Sequence, residues 1–584
     1  MIEAITDRIA KGPVKDYARA RMSRMSRWSS LRVAVPGLFF AWSLPAHALS
    51  GVPPVGSADT ATADPPIARP HTKPCIVPLF ANVTFANFDP KPFSYAPSAE
   101  CAGPFAKIVF ESDWQVTAGR QFDRTANVWI GGANVYFDTT SEPSRTVSRT
   151  WHVERDLTEY RALLASPQAG QTILGNVVND TYTGVITGSA RILFYPVQPG
   201  ERAPETPDVV VPLSDGAVGG VVNLANGTSR LARTFTFPTN VERAYLDVIA
   251  QSQSHDEFWY TCVPNDVTGP LQSCGGGAFR ETLVTIDGKP AGIAPVYPWM
   301  YTGAIDPYLW RPIVGVETLN FTPYRVDLTP FAGVLSDGRP HEVSIGVYGA
   351  NDYFATTGTL FLHLDRAAKR TKGQVTVDTL AVDPAPVTTK NVQTASDGAI
   401  TATVSVDASR RFTIAGWVDT SHGRVQTEIV QTVDFSNAQR FTISSSKYAQ
   451  NIVQRTKITS LTNTHGRGGS TQTWSGAEWP LDLDYDSTTN ADGTTDQRTT
   501  VDQRWNLGEM VTENGTLRRP RLKSNAVSAT DTLRFDATGA AIGPQGQKSS
   551  QSYFERDLLG TCYSRALESA DGLLTKVTDG RGCH

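Results

Sequence analysis

Along most of the chain apolar and polar residues alternate with a period of two in short runs, the pattern of half-buried strands. In the first third the clearest runs are 106–112, 120–130, 134–138, 150–156 and 190–195, with a helical turn over 154–164. A Pro-rich connector spans 199–211. Further strands are predicted at 247–251, at 281–286 before an Asp287-Gly288 hairpin turn, at 341–348 and at 359–365. Beyond residue 368, Ala402, Val404 and Val406 alternate, as do Phe412 and Ile414, and Val425, Thr427 and Ile429. Their Thr, Ser and Gln neighbours fit an antiparallel sheet packed on one face. Residues 464–470 and 487–496 read as polar, Gly-rich loops, and no internal repeat is visible. Long amphipathic helices are hard to find, so the expected class is all-β, built from antiparallel sandwiches.

Composition sharpens this only in places. A chain of 584 residues has material for two to four domains. The formal charge of −4 gives no electrostatic footprint for nucleic acid or an anionic membrane. Arg21, Arg24, Arg27 and Arg32 precede the apolar run 33–44 and then Pro45-Ala46-His47-Ala48. That is the layout of a signal peptide, too short and too broken by Pro36 for a membrane anchor. The chain is therefore expected to be exported, periplasmic or secreted, with Met22 or Met25 as alternative starts. Six cysteines fit that address as disulfides, and the simplest pairing joins sequence neighbours: Cys75–Cys101, Cys262–Cys274 and Cys562–Cys583. Nine scattered histidines and no CxxC argue against a metal site. The expected division is a signal segment (1–48), a disordered or extended linker (49–72), two β-sandwiches (73–198 and 199–367) and a β-rich C-terminal domain (368–584).

Candidate chemistry centres on residues 119–132. An Asp beside an Arg inside a strand is unusual, because both charges must be paired, solvated or functional. From that pair alone a salt bridge at a strand end is the plainer reading. However, Phe122-Asp123-Arg124-Thr125-Ala126-Asn127-Val128-Trp129 resembles the strand that carries the catalytic aspartate of the bacterial peptide:N-glycosidase PNGase F. The longer block through Gly131-Gly132 resembles the PNGase A family of glycoamidases. Similar in the same order are 175–185 (Gly-Asn-Val-Val-Asn-Asp-Thr-Tyr-Thr-Gly-Val), 237–246, 255–260, 278–281, 301–312 and 329–331.

The resemblance implies two jelly-roll-like sandwiches followed by the β-rich C-terminal domain. It also implies a cofactor-free hydrolase acting on N-glycopeptides and N-glycoproteins. The bond cut is the amide between asparagine and the first N-acetylglucosamine, giving aspartate and a glycosylamine. Asp123 takes the role of base or nucleophile, and Arg124 that of holding substrate or orienting Asp123. Strict alternation sends these two to opposite faces, so a strand end or bulge is expected there. The second acid is open. The position matching a PNGase F glutamate is Gly276 here, so Glu257 is the first substitute, Glu281 the second, and Asp180 a third, looser candidate. Asp256 and Glu281 are candidate substrate contacts; the plainer alternatives are a solvated turn for Asp256-Glu257 and a strand salt bridge with Arg280 for Glu281. Trp259, Tyr260, Tyr301, Trp310 and Arg311 are candidate sugar contacts, although a Trp in a β-sandwich is more often core. Clustered carboxylates should raise one another's pKa and extend activity to mildly acidic pH. The chain is read as a monomer. The rivals are a glycan-binding, adhesin-like sandwich without turnover and a two-carboxylate glycoside hydrolase.

Overall fold

The computed structural model describes residues 52–580, apart from 102, 215 and 558–560, together with Cys583. The expected signal segment lies outside the described residues. Eight strands form the first sandwich: β1 (Cys75–Phe85), β2 (Lys91–Tyr95), β3 (Phe105–Val116), β4 (Thr125–Ile130), β5 (Ala133–Thr139), β6 (Arg149–Asp156), β7 (Gln168–Leu174) and β8 (Ile186–Pro196). They make two antiparallel sheets, ordered β1-β8-β3-β6 and β2-β7-β4-β5, which is jelly-roll topology. The inward residues of both sheets close a core around Phe85, Phe110, Trp114, Val128 and Tyr136.

A second sandwich repeats that order. Its strands are β9 (Val209–Leu213), β10 (Val222–Leu224), β11 (Leu231–Thr236), β12 (Val241–Gln253), β13 (Glu281–Ile286), β14 (Lys289–Pro295), β15 (Tyr324–Asp327), β16 (Pro340–Tyr348) and β17 (Tyr353–Leu364). The sheets run β10-β17-β12-β15 and β11-β16-β13-β14, with β9 added beside β17. Shifted by nine, the strand numbers of the two sandwiches coincide. The fold therefore contains a topological repeat that the sequence does not show. Packing demands only the alternation of burial, and many apolar residues satisfy it.

The rest of the chain is an antiparallel meander of unusually long strands. β18 (Lys372–Asp378) and β19 (Val387–Thr394) share one edge of β20 (Ile400–Thr420). β21 (Gly423–Ile443), β22 (Lys447–Gly466), β23 (Gly469–Thr489), β24 (Thr495–Glu513), β25 (Thr516–Phe535), β26 (Ala541–Asp557), β27 (Cys562–Ala570) and β28 (Leu573–Asp579) follow in order. A 20-residue strand spans about 65–70 Å. One face of this sheet joins the core of the second sandwich, with Trp479 edge-on and Trp505 tilted against Tyr297.

Three expectations need correction. The polar stretches 464–470 and 487–496 are hairpin tips in which strand runs up to tight turns at 467–468 and 490–494. Their polarity reflects strand ends that stand clear of the core. The strand predicted from Arg120 begins at Thr125 instead. The amides of Phe122, Asp123 and Arg124 bond to the side chains of Gln121, Glu142 and Thr140, at 3.1, 3.1 and 2.9 Å, so no ladder forms there. The linker is extended but not loose: Ala61 and Ala63 are fully buried, and the segment bonds to Thr150, Pro312 and Gln551. Its small residues pack without apolar periodicity because they pass between elements rather than lie on one. All three neighbour disulfides are formed.

Candidate active site

Four loops converge at one place. From the first sandwich come the β3–β4 loop with Asp123 and the β5–β6 loop with Glu142. The second supplies the β12–β13 loop with Glu257 and the β14–β15 loop with Gly303 and Arg311. Antiparallel pairing of β4 with β5 across the Gly131-Gly132 turn sets Thr125 opposite Thr139. Carried past the strand ends, that register sets Asp123 opposite Ser141, and the next residue, Glu142, accepts the Asp123 amide on Oε1 at 3.1 Å. Arg311 Nη2 donates to the other oxygen, Glu142 Oε2, at 2.9 Å, and its guanidinium lies over the Tyr308 ring.

Gly303 packs directly on the acids. A Cβ there would stand 2.4 Å from Asp123 Oδ1 and 2.7 Å from Glu142 Oε1. Its amide donates to the Asp123 carboxylate. Only a residue without a side chain fits, and Thr302 pins the same loop by donating to the carbonyl of Thr140. Glu257 faces the pair across the junction of the two sandwiches. The strained backbone of Ser254 (φ 54°) starts its loop, and the Ser252 hydroxyl donates to the Glu257 carbonyl at 3.2 Å.

Burial and mutual repulsion push all three carboxyls up. Asp123 rises to about 6, mainly through burial, opposed by the Arg124 charge and two backbone donors. Glu142 rises to about 7 through burial, with Arg311 pulling down and Asp123 pushing up. Glu257 rises to about 8, because burial and both other acids act in one direction and no cation relieves it. Between about 6 and 8 the site therefore holds an ionised Asp123 beside a protonated Glu257.

Arg124 lies one residue before β4. It donates to Gln121 Oε1 at 2.7 Å and to Asn176 Oδ1 at 3.4 Å, and packs 5.9 Å from the Phe122 ring. The 175–185 motif thus serves Arg124 through the fully buried Asn176, while Asp180 of that motif is exposed and makes no part of the cluster.

Several sequence candidates are elsewhere. Asp256 is fully buried against Arg280 at 2.9 Å, and it accepts the amides of Asn351, Asp352 and Tyr353. It ties loops together and presents nothing to a ligand. Glu281 pairs with Arg410 of the C-terminal sheet, both buried. Trp259 and Tyr260 are fully buried, with Trp259 tilted on Phe435, so neither offers a face to a sugar. Trp310 is buried too, and its indole donates to the Ala304 carbonyl at 2.9 Å, bracing the Gly303 loop. Tyr301 is buried with its hydroxyl on the Ser252 carbonyl. Large aromatics next to charges look exposed in a sequence, but here their faces fill the seams between sheets.

Glu142 was missed by sequence reasoning because Thr-Ser-Glu-Pro matches no motif. From the Gly131-Gly132 turn alone the hairpin register sets Asp123 opposite Thr140, and the shift between Val128 and Trp129 makes it Ser141, so no sequence signal finds Glu142. Elsewhere, Glu111, His152 and Glu154 lie close enough to share a cation, but Arg69 already bridges the two glutamates.

Residues 66–380 match the family model described as peptide N-acetyl-beta-D-glucosaminyl asparaginase amidase A. The chain is 30% identical over 396 residues to the Prunus dulcis peptide-N4-(N-acetyl-beta-glucosaminyl)asparagine amidase A, covering 64% of this chain and 68% of that protein. Among solved structures, recombinant PNGase F aligns with a TM-score of 0.36 at 13% identity, over 50% of this chain and 96% of the other. PNGF-II aligns with a TM-score of 0.35 at 13% identity, over 50% and 65%. By the extent of the family match and the identity to the almond protein, this chain belongs to the peptide N-acetyl-beta-D-glucosaminyl asparaginase amidase A family.

Proposed function

We propose that the protein hydrolyses the amide joining an asparagine side chain to the first N-acetylglucosamine of an N-glycan, with Asp123, Glu142 and Glu257 at the reacting centre. The observation that carries this reading is three carboxyls from both sandwiches with staggered protonation. Amide hydrolysis needs a base for water and an acid for a poor leaving nitrogen, and two carboxyls of separated pKa supply both. Asp123 is ionised first and takes a proton from water as its oxygen bonds to the side-chain carbonyl carbon. The C–N bond breaks as Glu257 gives its proton to the departing nitrogen. Asparagine becomes aspartate, and the glycan leaves as a glycosylamine.

Glu142 holds the loop: it fixes the Asp123 amide on one side and Arg311 on the other. Arg124 places positive potential beside the oxyanion that forms on the carbonyl oxygen. No cofactor enters these steps. Export through the basic and apolar N-terminus, and action as a monomer without a membrane anchor, complete the reading. Three disulfides support the exported address, and no described helix is long and apolar enough to cross a membrane.

The test is mass spectrometry of a defined N-glycopeptide incubated with wild type and with Asp123→Asn at pH 7. Asparagine converted to aspartate by wild type alone supports the proposal. An asparagine still bearing one sugar would replace it with the glycoside-hydrolase reading, and bound but unaltered peptide with the adhesin reading.

A further inference from the structure

All of the C-terminal sheet but β18 lies beyond the family match, which ends at residue 380. Its inner face is not purely apolar. Asn437, Gln439, Gln450, Gln503 and Gln547, on four strands, are buried and aim amide N–H groups at main-chain carbonyls. Asn437 reaches Tyr260 and Gln439 reaches Cys262, both at 2.9 Å. Gln450 reaches Thr261 at 2.9 Å, Gln503 reaches Pro298 at 2.7 Å, and Gln547 reaches Arg311 at 3.0 Å. Irregular backbone buried under a sheet has carbonyls without ladder partners, and each needs a donor. These donors fall on only two segments, the one that follows Glu257 and the one that brackets Gly303 and ends on Arg311.

Gln547 goes furthest. Its Oε1 accepts the Gly572 amide at 2.9 Å from the turn between β27 and β28, so its Nε2 must face Arg311. The next residue, Pro312, has no N–H, and its carbonyl takes the Ala61 amide of the N-terminal strap at 2.9 Å. Hydrogen bonds then run unbroken inward. Gly572 donates to Gln547, Gln547 to the Arg311 carbonyl, and the Arg311 guanidinium to Glu142, which accepts the Asp123 amide.

We infer that Gln547, and through it the C-terminal sheet, is a positioning residue that sets Arg311 against Glu142 and so fixes Asp123. This rests on the amidase reading of the site.

The experiment compares wild type, Gln547→Leu, Gln547→Glu and the exposed control Gln426→Leu. It measures kcat and KM on an N-glycopeptide from pH 5 to 8, alongside Tm. Loss of one buried hydrogen bond that orients a catalytic loop should lower kcat of Gln547→Leu about tenfold, with KM within about twofold. Gln547→Glu should recover most of that at pH 5, where its protonated carboxyl donates as the amide did. Its activity relative to wild type at the same pH should fall toward pH 8, a relative dependence that Gln547→Leu does not have. Wild-type kcat in Gln547→Leu would overturn the inference. So would losses in both variants that merely follow Tm with an unchanged pH profile. If wild type itself converts no glycopeptide, the amidase reading fails instead. A crystal structure of Gln547→Leu then decides the positioning, and a retained 2.9 Å contact between Arg311 and Glu142 refutes it.

Discussion

The two jelly rolls offer a comparison within one chain, because each places an arginine at the same point of the same fold. Arg124 precedes β4 by one residue, and Arg280 precedes β13, its topological counterpart, by one residue. In each sandwich a loop joining the last two strands steadies that arginine, through Asn176 in the first and through Asn351 and Asp352 acting on Asp256 in the second. The outcomes differ. Arg280 is wholly buried, paired with Asp256 and bonded to three carbonyls. Arg124 is half-buried and held by two neutral amides, leaving the neighbouring Asp123 carboxylate without a direct ion pair among the described residues. A closed pair stabilises the fold, whereas an open carboxylate with a raised pKa is available for chemistry. The same scaffold position is therefore closed by an ion pair in one sandwich and, in the other, leaves a carboxylate open for the proposed reaction. Equivalent loops from both, β3–β4 with β12–β13 and β5–β6 with β14–β15, build the site together.

The sharpest way to break this contrast is to neutralise the open side. Asp123→Asn should lower kcat about 10³–10⁴-fold in the glycopeptide assay, and Glu257→Gln about 10²–10³-fold, with circular dichroism unchanged. Activity near wild type in either variant would remove that residue from the reaction. On the closed side, Asp256→Ala leaves the Arg280 guanidinium buried and unpaired and strands three backbone amides. It should cost about 3–5 kcal/mol in denaturant unfolding. A loss under about 1 kcal/mol would mean that water reaches the pair and that the two arginines are less different than they look.

The next prediction is the pH profile. Activity should rise as Asp123 ionises through about 6, and fall as Glu257 loses its proton through about 8. Retention of the acid limb in Glu257→Gln together with loss of the alkaline limb would assign the two; a flat profile would contradict both assignments. The smallest effect is on stability. Because the folded pKa values lie above the unfolded ones, the folded site binds more protons, and its contribution weakens as pH rises from about 4 to 8. Asp123→Asn and Glu142→Gln should therefore raise Tm by about 1–3 °C at pH 8 and leave it unchanged near pH 4. Equal shifts at both values would count against the raised pKa.

What the chain's sequence determined by itself was local. Period-two alternation specified the strands and the all-β class, because one face of each sheet is buried and the next residue is not. The Phe122-Asp123-Arg124 and Asp256-Glu257 blocks marked the neighbourhood of the site. Whether a marked residue is open or closed was left to tertiary structure. Asp256 and Glu257 are adjacent, yet one is locked to Arg280 and the other faces two carboxylates, since the 3-10 turn over 254–256 rotates successive side chains by about a third of a turn. Trp259 became core because the long sheet covers it, with Phe435, more than a hundred positions away, against its ring. Glu142 and Gln547 have no sequence signature at all. Each acts only through what lies across a hairpin or under a sheet, and distance along the chain carries no information about that.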